Sequence, residues 1–247
     1  DLNQALNKHG YELLLSNSLM ASDNWANYFI SSQRADGIIV VGQGKSLEKI
    51  ETAAASGAPI VVWGDPSTKS DYPVIGSNNE LGGYQATKHM IETGCTRIAF
   101  LGDPEHAEMA QRHSGYKKAL EEAGIRVDVD LTFAIDITST AAYEKLNKVI
   151  LEQGLHFDGI VASSDMVALG ALKALKERYI NVPGDVSIVG FDDIAMAELF
   201  HPALTTIKQD TEQAAQLMVE QLMNQFNNQT VSSKVLDIEL VRRKSTR

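Results

Sequence analysis

The chain has a single cysteine, Cys95, so it can form neither an internal disulfide framework nor a four-cysteine zinc site. A lone thiol fits a reducing compartment, and the cytoplasm is the expected location. No apolar run approaches the roughly 20 residues that a membrane helix needs, which excludes a spanning helix and any membrane partner of that kind. Positive charge is scarce: 22 Lys and Arg stand against 32 Asp and Glu, a net charge of −10. Such a chain binds nucleic acid poorly by itself, because phosphates need positive counter-charge. With 44% hydrophobic and 22% charged residues, its 247 residues nevertheless suffice for one or two domains with a substantial core.

Catalytic and cofactor signatures are missing too. VVGQGKS (40–46) resembles a phosphate loop, but Ile39 stands where that loop needs its first Gly. The expected alternative is a strand-end loop in which Gln43 lines a ligand site. No G-x-G-x-x-G opens a strand–helix turn, and no G-x-S-x-G elbow occurs. Six histidines include no H-x-x-x-H or H-E-x-x-H, so His106 and His113 read as surface residues and no metal is expected. Asp192-Asp193 could be an acid–base pair, yet nothing assembles a nucleophile, its base and an oxyanion site. An enzyme and a bound cofactor are therefore not expected.

The chain opens at Asp1, inside a helix-like stretch (DLNQALNKHGYELLLS), with neither an initiator Met nor an apolar signal region. The expectation is a fragment with an upstream part outside the sequence. Beyond it, short β-rich runs alternate with amphipathic stretches. The strand candidates are YELLLS (11–16), GIIVV (37–41), IVVW (60–63), PVIG (73–76), RIAFLG (97–102), TFAIDI (132–137), GIVAS (159–163), VSIVGF (186–191) and VLDIELV (235–241). Most are continuously apolar, as strands covered by helices on both faces should be. Asn79, Asp165 and Asp210 can cap helix starts, and Gly57, Gly94, Gly124 and Gly154 fall where helices should end. The pattern predicts an α/β protein of doubly wound parallel sheets, with a tail that revisits an earlier lobe. Arg112, Asp165 and Asp192 fall at strand ends or helix starts, where such folds place ligands; together they can hold a ring bearing several hydroxyls.

VPGDVSIVGFDD (182–193), LTTIKQD (204–210) and ELVRRKST (239–246) resemble the C-terminal half of LacI/GalR-type transcriptional regulators. DGIIVVG (36–42), GAPIVVWGD (57–65), RHSGYKKALEEAG (112–124) and SDMVALGALKALKER (164–178) extend the resemblance along the chain. It implies a two-lobed, periplasmic-binding-protein-like effector domain, with lobes of 1–95 plus 208–236 and 96–207 plus 237–247. It further implies a small effector of the sugar class bound between the lobes, and a homodimer that reaches operator DNA through an N-terminal helix-turn-helix. Arg112 matches the family's cleft arginine in R-x-x-G-[FYW], Asp192 the aspartate of V-G-[FY]-D, and Asp165 the aspartate opening a second-lobe helix. Ile137 and Trp63 would wall the ligand, and Ser164 sits where a sugar-contacting Asn can occur. Tyr179 stands in place of the usual helix-ending Gly. A transporter's exported sugar-binding protein is the alternative with the same fold.

Overall fold

Apolar runs without alternation form strands that helices cover on both sides, and the chain builds two sheets of this kind. A computed structural model describes residues 1–16, 25–42, 47–67, 69–154 and 156–247. The described chain divides into two units, Asp1–Ser77 with Asp210–Asp237, and Asn78–Gln209 with Ile238–Arg247.

The first unit holds α1 (Leu2–Asn7), α2 (Trp25–Ile30), β1 (Ile38–Val41), α3 (Leu47–Ala55), β2 (Ile60–Trp63) and β3 (Val74–Ser77). It takes α8 (Thr211–Phe226) and β9 (Lys234–Leu236) from late in the chain; the numbering follows sequence order. Its sheet runs β1-β2-β3-β9, all parallel. Ile60, Val62 and Val74 pack with Ile50 of α3, while Val61 and Ile75 pack with Ala214, Met218 and Leu222 of α8. YELLLS, expected as a strand, pairs with no strand among the described residues, and Leu15 is 87% exposed. Among the described residues β1 stands at the edge of this sheet, paired on one side with β2. Gln43 lies outside the described residues.

The second unit comprises α4 (Asn79–Glu92), β4 (Ile98–Leu101), α5 (Ala107–Glu122), β5 (Thr132–Phe133), α6 (Ser139–Gln153), β6 (Gly159–Ala162), α7 (Asp165–Glu177), β7 (Ser187–Asp192), β8 (Thr205–Gln209) and β10 (Ile238–Val241). Its sheet order is β10-β8-β7-β6-β4-β5, parallel except for β10 against β8. One face packs α6 and α7 through Leu146, Val149, Ala171 and Leu175; the other packs α4 and α5 through Met90, Tyr116 and Leu120.

Several sequence expectations change here. The first crossover falls at 77/78, not 95/96, because α4 packs on α5 at backbone contact. A Cβ on Gly83 would stand 1.9 Å from the Arg112 carbonyl oxygen, and one on Gly115 1.9 Å from that of Glu80. VLDIELV is two strands rather than one: it breaks at Asp237, so β9 serves the first sheet and β10 the second. TFAIDI forms a strand only at Thr132–Phe133, leaving Ile137 in the following loop. Gly57, Gly94, Gly124 and Gly154 do carry the positive φ that ends a helix. Asp210 caps α8 as expected, whereas Asn78 and Ser164, each one residue earlier than read, cap α4 and α7.

Candidate functional site

In an open parallel sheet the ligand position is the carboxyl edge where strand order reverses. In the second unit the chain goes from β4 to β5 on one side, then returns through α6 to β6 on the other side of β4. The reversal therefore lies between β4 and β6. At that edge are the N-termini of α4, α5 and α7 and the ends of β6, β7 and β8.

Arg112, in the second turn of α5, is the centre of this edge and is 6% exposed. Its Nε donates to Asn79 Oδ1 at 2.8 Å, and its Nη1 donates to the Ser163 carbonyl just past β6. The guanidinium carbon lies 3.6 Å from the centre of the Phe191 ring, a cation–π stack that fixes the plane of the fork. No described residue accepts from Nη2, so the outer part of the fork keeps donors to offer. Burial lowers the Arg112 pKa, opposed first by Asp192 and then by Glu108 and Asp165. The group stays a cation all the same, as arginine does in proteins.

Asp192 ends β7, and its Oδ1 accepts from Gln209 Nε2 at 2.7 Å. Burial raises its pKa, while Arg112 and the Gln209 bond pull it back. Both Asp192 (φ 119°) and Asp193 (φ 57°) have positive φ. Such backbone costs on the order of 1–3 kcal/mol per residue and persists only where surrounding contacts impose it.

Asp165 is fully buried at the first position of α7. Its Oδ1 accepts from Thr206 Oγ1 at 2.6 Å and its Oδ2 from the Ile194 amide at 2.9 Å. Burial pushes its pKa up to about 7; the two hydrogen bonds oppose this, and the Asp192 and Asp193 charges add to it. With no exposed surface and both oxygens engaged, Asp165 braces the turn after β7. Ser164 is also largely spent, because its Oγ accepts from the Val167 amide as the cap of α7.

Ile137 is 42% exposed in the loop after β5, available as an apolar surface. Trp63 ends β2 in the first unit, partly buried against the α8 cluster. His113 is not the surface histidine expected. It lies half-buried between Phe100 and Tyr116, with Nε2 3.2 Å from Thr132 Oγ1, and burial pushes its pKa down. His106 stands at the cap of α5, its ring 3.7 Å from the Asp103 carboxylate. Among the described residues no three potential ligands gather for a metal, and no helix is long and apolar enough to cross a membrane.

Sequence reasoning gave Asn79, Phe191 and Gln209 no part in the site. Phe191 had a signal, being the aromatic just before the site aspartate. Asn79 and Gln209 had none, because their value lies in which atoms they reach across the fold.

The geometry amounts to a preset guanidinium beside a carboxylate, stacked on an aromatic ring. It can hydrogen-bond a neutral polyol. Residues 87–246 match the family described as "Periplasmic binding protein-like domain". The chain is 31% identical to the HTH-type transcriptional repressor PurR of Vibrio atlanticus, covering 97% of this chain and 73% of that one. It is 30% identical to the HTH-type transcriptional regulator RegA of Clostridium saccharobutylicum, covering 97% and 74%. A LacI-family transcriptional regulator from Enterococcus faecium, solved with bound ribose, superposes with a TM-score of 0.85 at 25% identity, covering 99% of this chain and 91% of that one.

Proposed function

Because the chain belongs to the LacI family of transcriptional regulators and carries that family's periplasmic-binding-protein-like effector domain, we propose that its effector is a sugar held at the carboxyl edge of the second unit's sheet. The observation that carries this reading is Arg112, buried and pinned by Asn79, Ser163 and Phe191 beside Asp192. Arg112 donates to ligand hydroxyls and Asp192 accepts from them. Asp165 and Ser164 brace the backbone around them, and Ile137 supplies an apolar side. The reading rests on none of the first unit's residues, Trp63 and Gln43 included.

A ligand moves a regulator between two states only as far as it binds one of them better, and that difference is what alters DNA affinity. With a net charge of −10 the sequence given lacks the positive footprint that DNA phosphates require. The DNA contact thus falls to other parts of the regulator, working in the cytoplasm as a homodimer that matches two half-sites. Exposed Met166, Met196 and Leu199 support α7 and residues 195–200 as the candidate dimer contacts. Sedimentation that shows only monomer at high concentration overturns the dimer.

The sugar reading is tested by thermal shift against monosaccharides, disaccharides, glycosides and purines, since a bound ligand raises apparent stability by mass action. A sugar that stabilises the parent loses on the order of tenfold to a hundredfold in affinity with Arg112→Ala, because a charged hydrogen bond contributes about 1.5–3 kcal/mol. Stabilisation by purines alone, or unchanged affinity in Arg112→Ala, refutes it.

A further inference from the structure

The tail after β10 is not a loose end. Ser245 exchanges hydrogen bonds with Ile188 of β7, receiving its amide at 2.8 Å and donating Oγ to its carbonyl at 2.6 Å. It also takes the Thr205 amide at 2.8 Å. The Lys244 amide donates to the Ala203 carbonyl, and Thr246 lies 2.9 Å from the buried ring of His89. These contacts hold Arg243, whose own amide donates to Thr205 Oγ1 and whose Nη1 donates to the Leu204 carbonyl, each at 2.9 Å. The other guanidinium nitrogen makes a 2.7 Å ion pair with Asp193, and the two side chains are only 19% and 15% exposed.

Asp193 adjoins the site aspartate, and the two share the strained positive-φ backbone. Besides the pairing of Asp192 with Lys208 of β8, that pair and the residue after it are held by Gln209 on Asp192, Asp165 on the Ile194 amide, and Arg243 on Asp193. Only the last comes from the tail, about fifty residues downstream. We propose that Arg243 is a positioning residue for the effector site: by holding Asp193 in its left-handed conformation it aims the Asp192 carboxylate at the ligand. The pair is sheltered enough to resist screening by salt, unlike an exposed ion pair. This inference rests on the sugar site described above, with Asp192 as a contact residue.

The test combines calorimetric titration with D-ribose and NMR assignment of the Asp192 and Asp193 amide and Cα shifts. It compares the parent with Arg243→Gln, Arg243→Lys, Asp193→Asn and Asp192→Asn. Arg243→Gln and Asp193→Asn are expected to lower affinity about tenfold and to move both sets of shifts, while Arg243→Lys recovers most of the loss. Added to Asp192→Asn, Arg243→Gln should lower affinity no further, since its effect runs through that carboxylate. A merely structural arginine would give the same loss in either background, and that result overturns the proposal. So do parent-like affinity or parent-like shifts in Arg243→Gln. Should Arg243→Gln fail to fold, Asp193→Asn decides by the same criteria, because it removes one charge and no volume. Should the parent not bind D-ribose, that arm counts against the sugar assignment alone, and the NMR shifts decide the positioning role.

Discussion

Gly83→Ala tests whether the contact of α4 with α5 sets the site. A Cβ there would stand 1.9 Å from the Arg112 carbonyl oxygen, 2.7 Å from its carbonyl carbon and 2.9 Å from its Cα. All three are backbone atoms of a helix, so no rotamer change relieves the overlap. Restoring ordinary contact near 3.4 Å requires the helices to separate by roughly 1.5 Å, in an interior packed at crystal-like density. Overpacking typically costs about 1–3 kcal/mol, and a clash with rigid backbone belongs at the upper end. At about 2–4 °C per kcal/mol for a chain of this size, the melting temperature should fall by about 6–12 °C. Gly82→Ala is the matched control. Its Cβ meets the Phe191 ring at 2.5 Å and Ile207 at 3.4 Å, and side chains can turn aside. It should cost less stability but still disturb the Arg112 stack. Scanning calorimetry compares the three proteins. A Gly83→Ala melt within about 1 °C of the parent, or a larger loss for Gly82→Ala, would refute the reasoning that backbone contact governs here.

Other perturbations follow from individual groups. Asp165 has its folded pKa raised from the ordinary carboxylate value to about 7. The native state therefore holds this proton where the unfolded chain has lost it, and Asp165 makes stability fall as pH rises from about 4 to about 7. Urea unfolding across that window should show the fall in the parent and a flatter profile in Asp165→Asn; equal slopes would refute it. Tyr179 holds φ 58° at the end of α7 and is 93% exposed. Tyr179→Gly should therefore stabilise the chain by about 0.5 kcal/mol, left-handed strain of about 1–2 kcal/mol being relieved against glycine's extra unfolded-state entropy. A drop in urea midpoint would contradict this. Ser164→Ala removes the cap of α7 and should cost about 1 kcal/mol, read as a lower urea midpoint at unchanged slope.

Much of the molecule is legible along the chain because burial on both faces leaves a local mark. IVVW, RIAFLG, GIVAS and VSIVGF became β2, β4, β6 and β7, and glycines with positive φ stand where helices were expected to end. Arg112 and Asp192 were legible as well, since a strand end or helix start is a position along the sequence. Pairing partners are another matter, because a neighbouring strand is chosen by packing far away in sequence. Hence YELLLS found no described partner, VLDIELV split between two sheets, and β8, hidden in LTTIKQ, escaped notice. The same holds for the groups that make Arg112 useful. Asn79 is 33 residues away and the Ser163 carbonyl 51, and neither carries a chemical signature of its own. Composition and periodicity thus determined the architecture and the placing of Arg112 and Asp192 near strand ends and helix starts. Which atoms satisfy, aim and strain those charges was decided only when the folded backbone brought α4, α5, β6, β7 and the C-terminal tail into hydrogen-bonding reach.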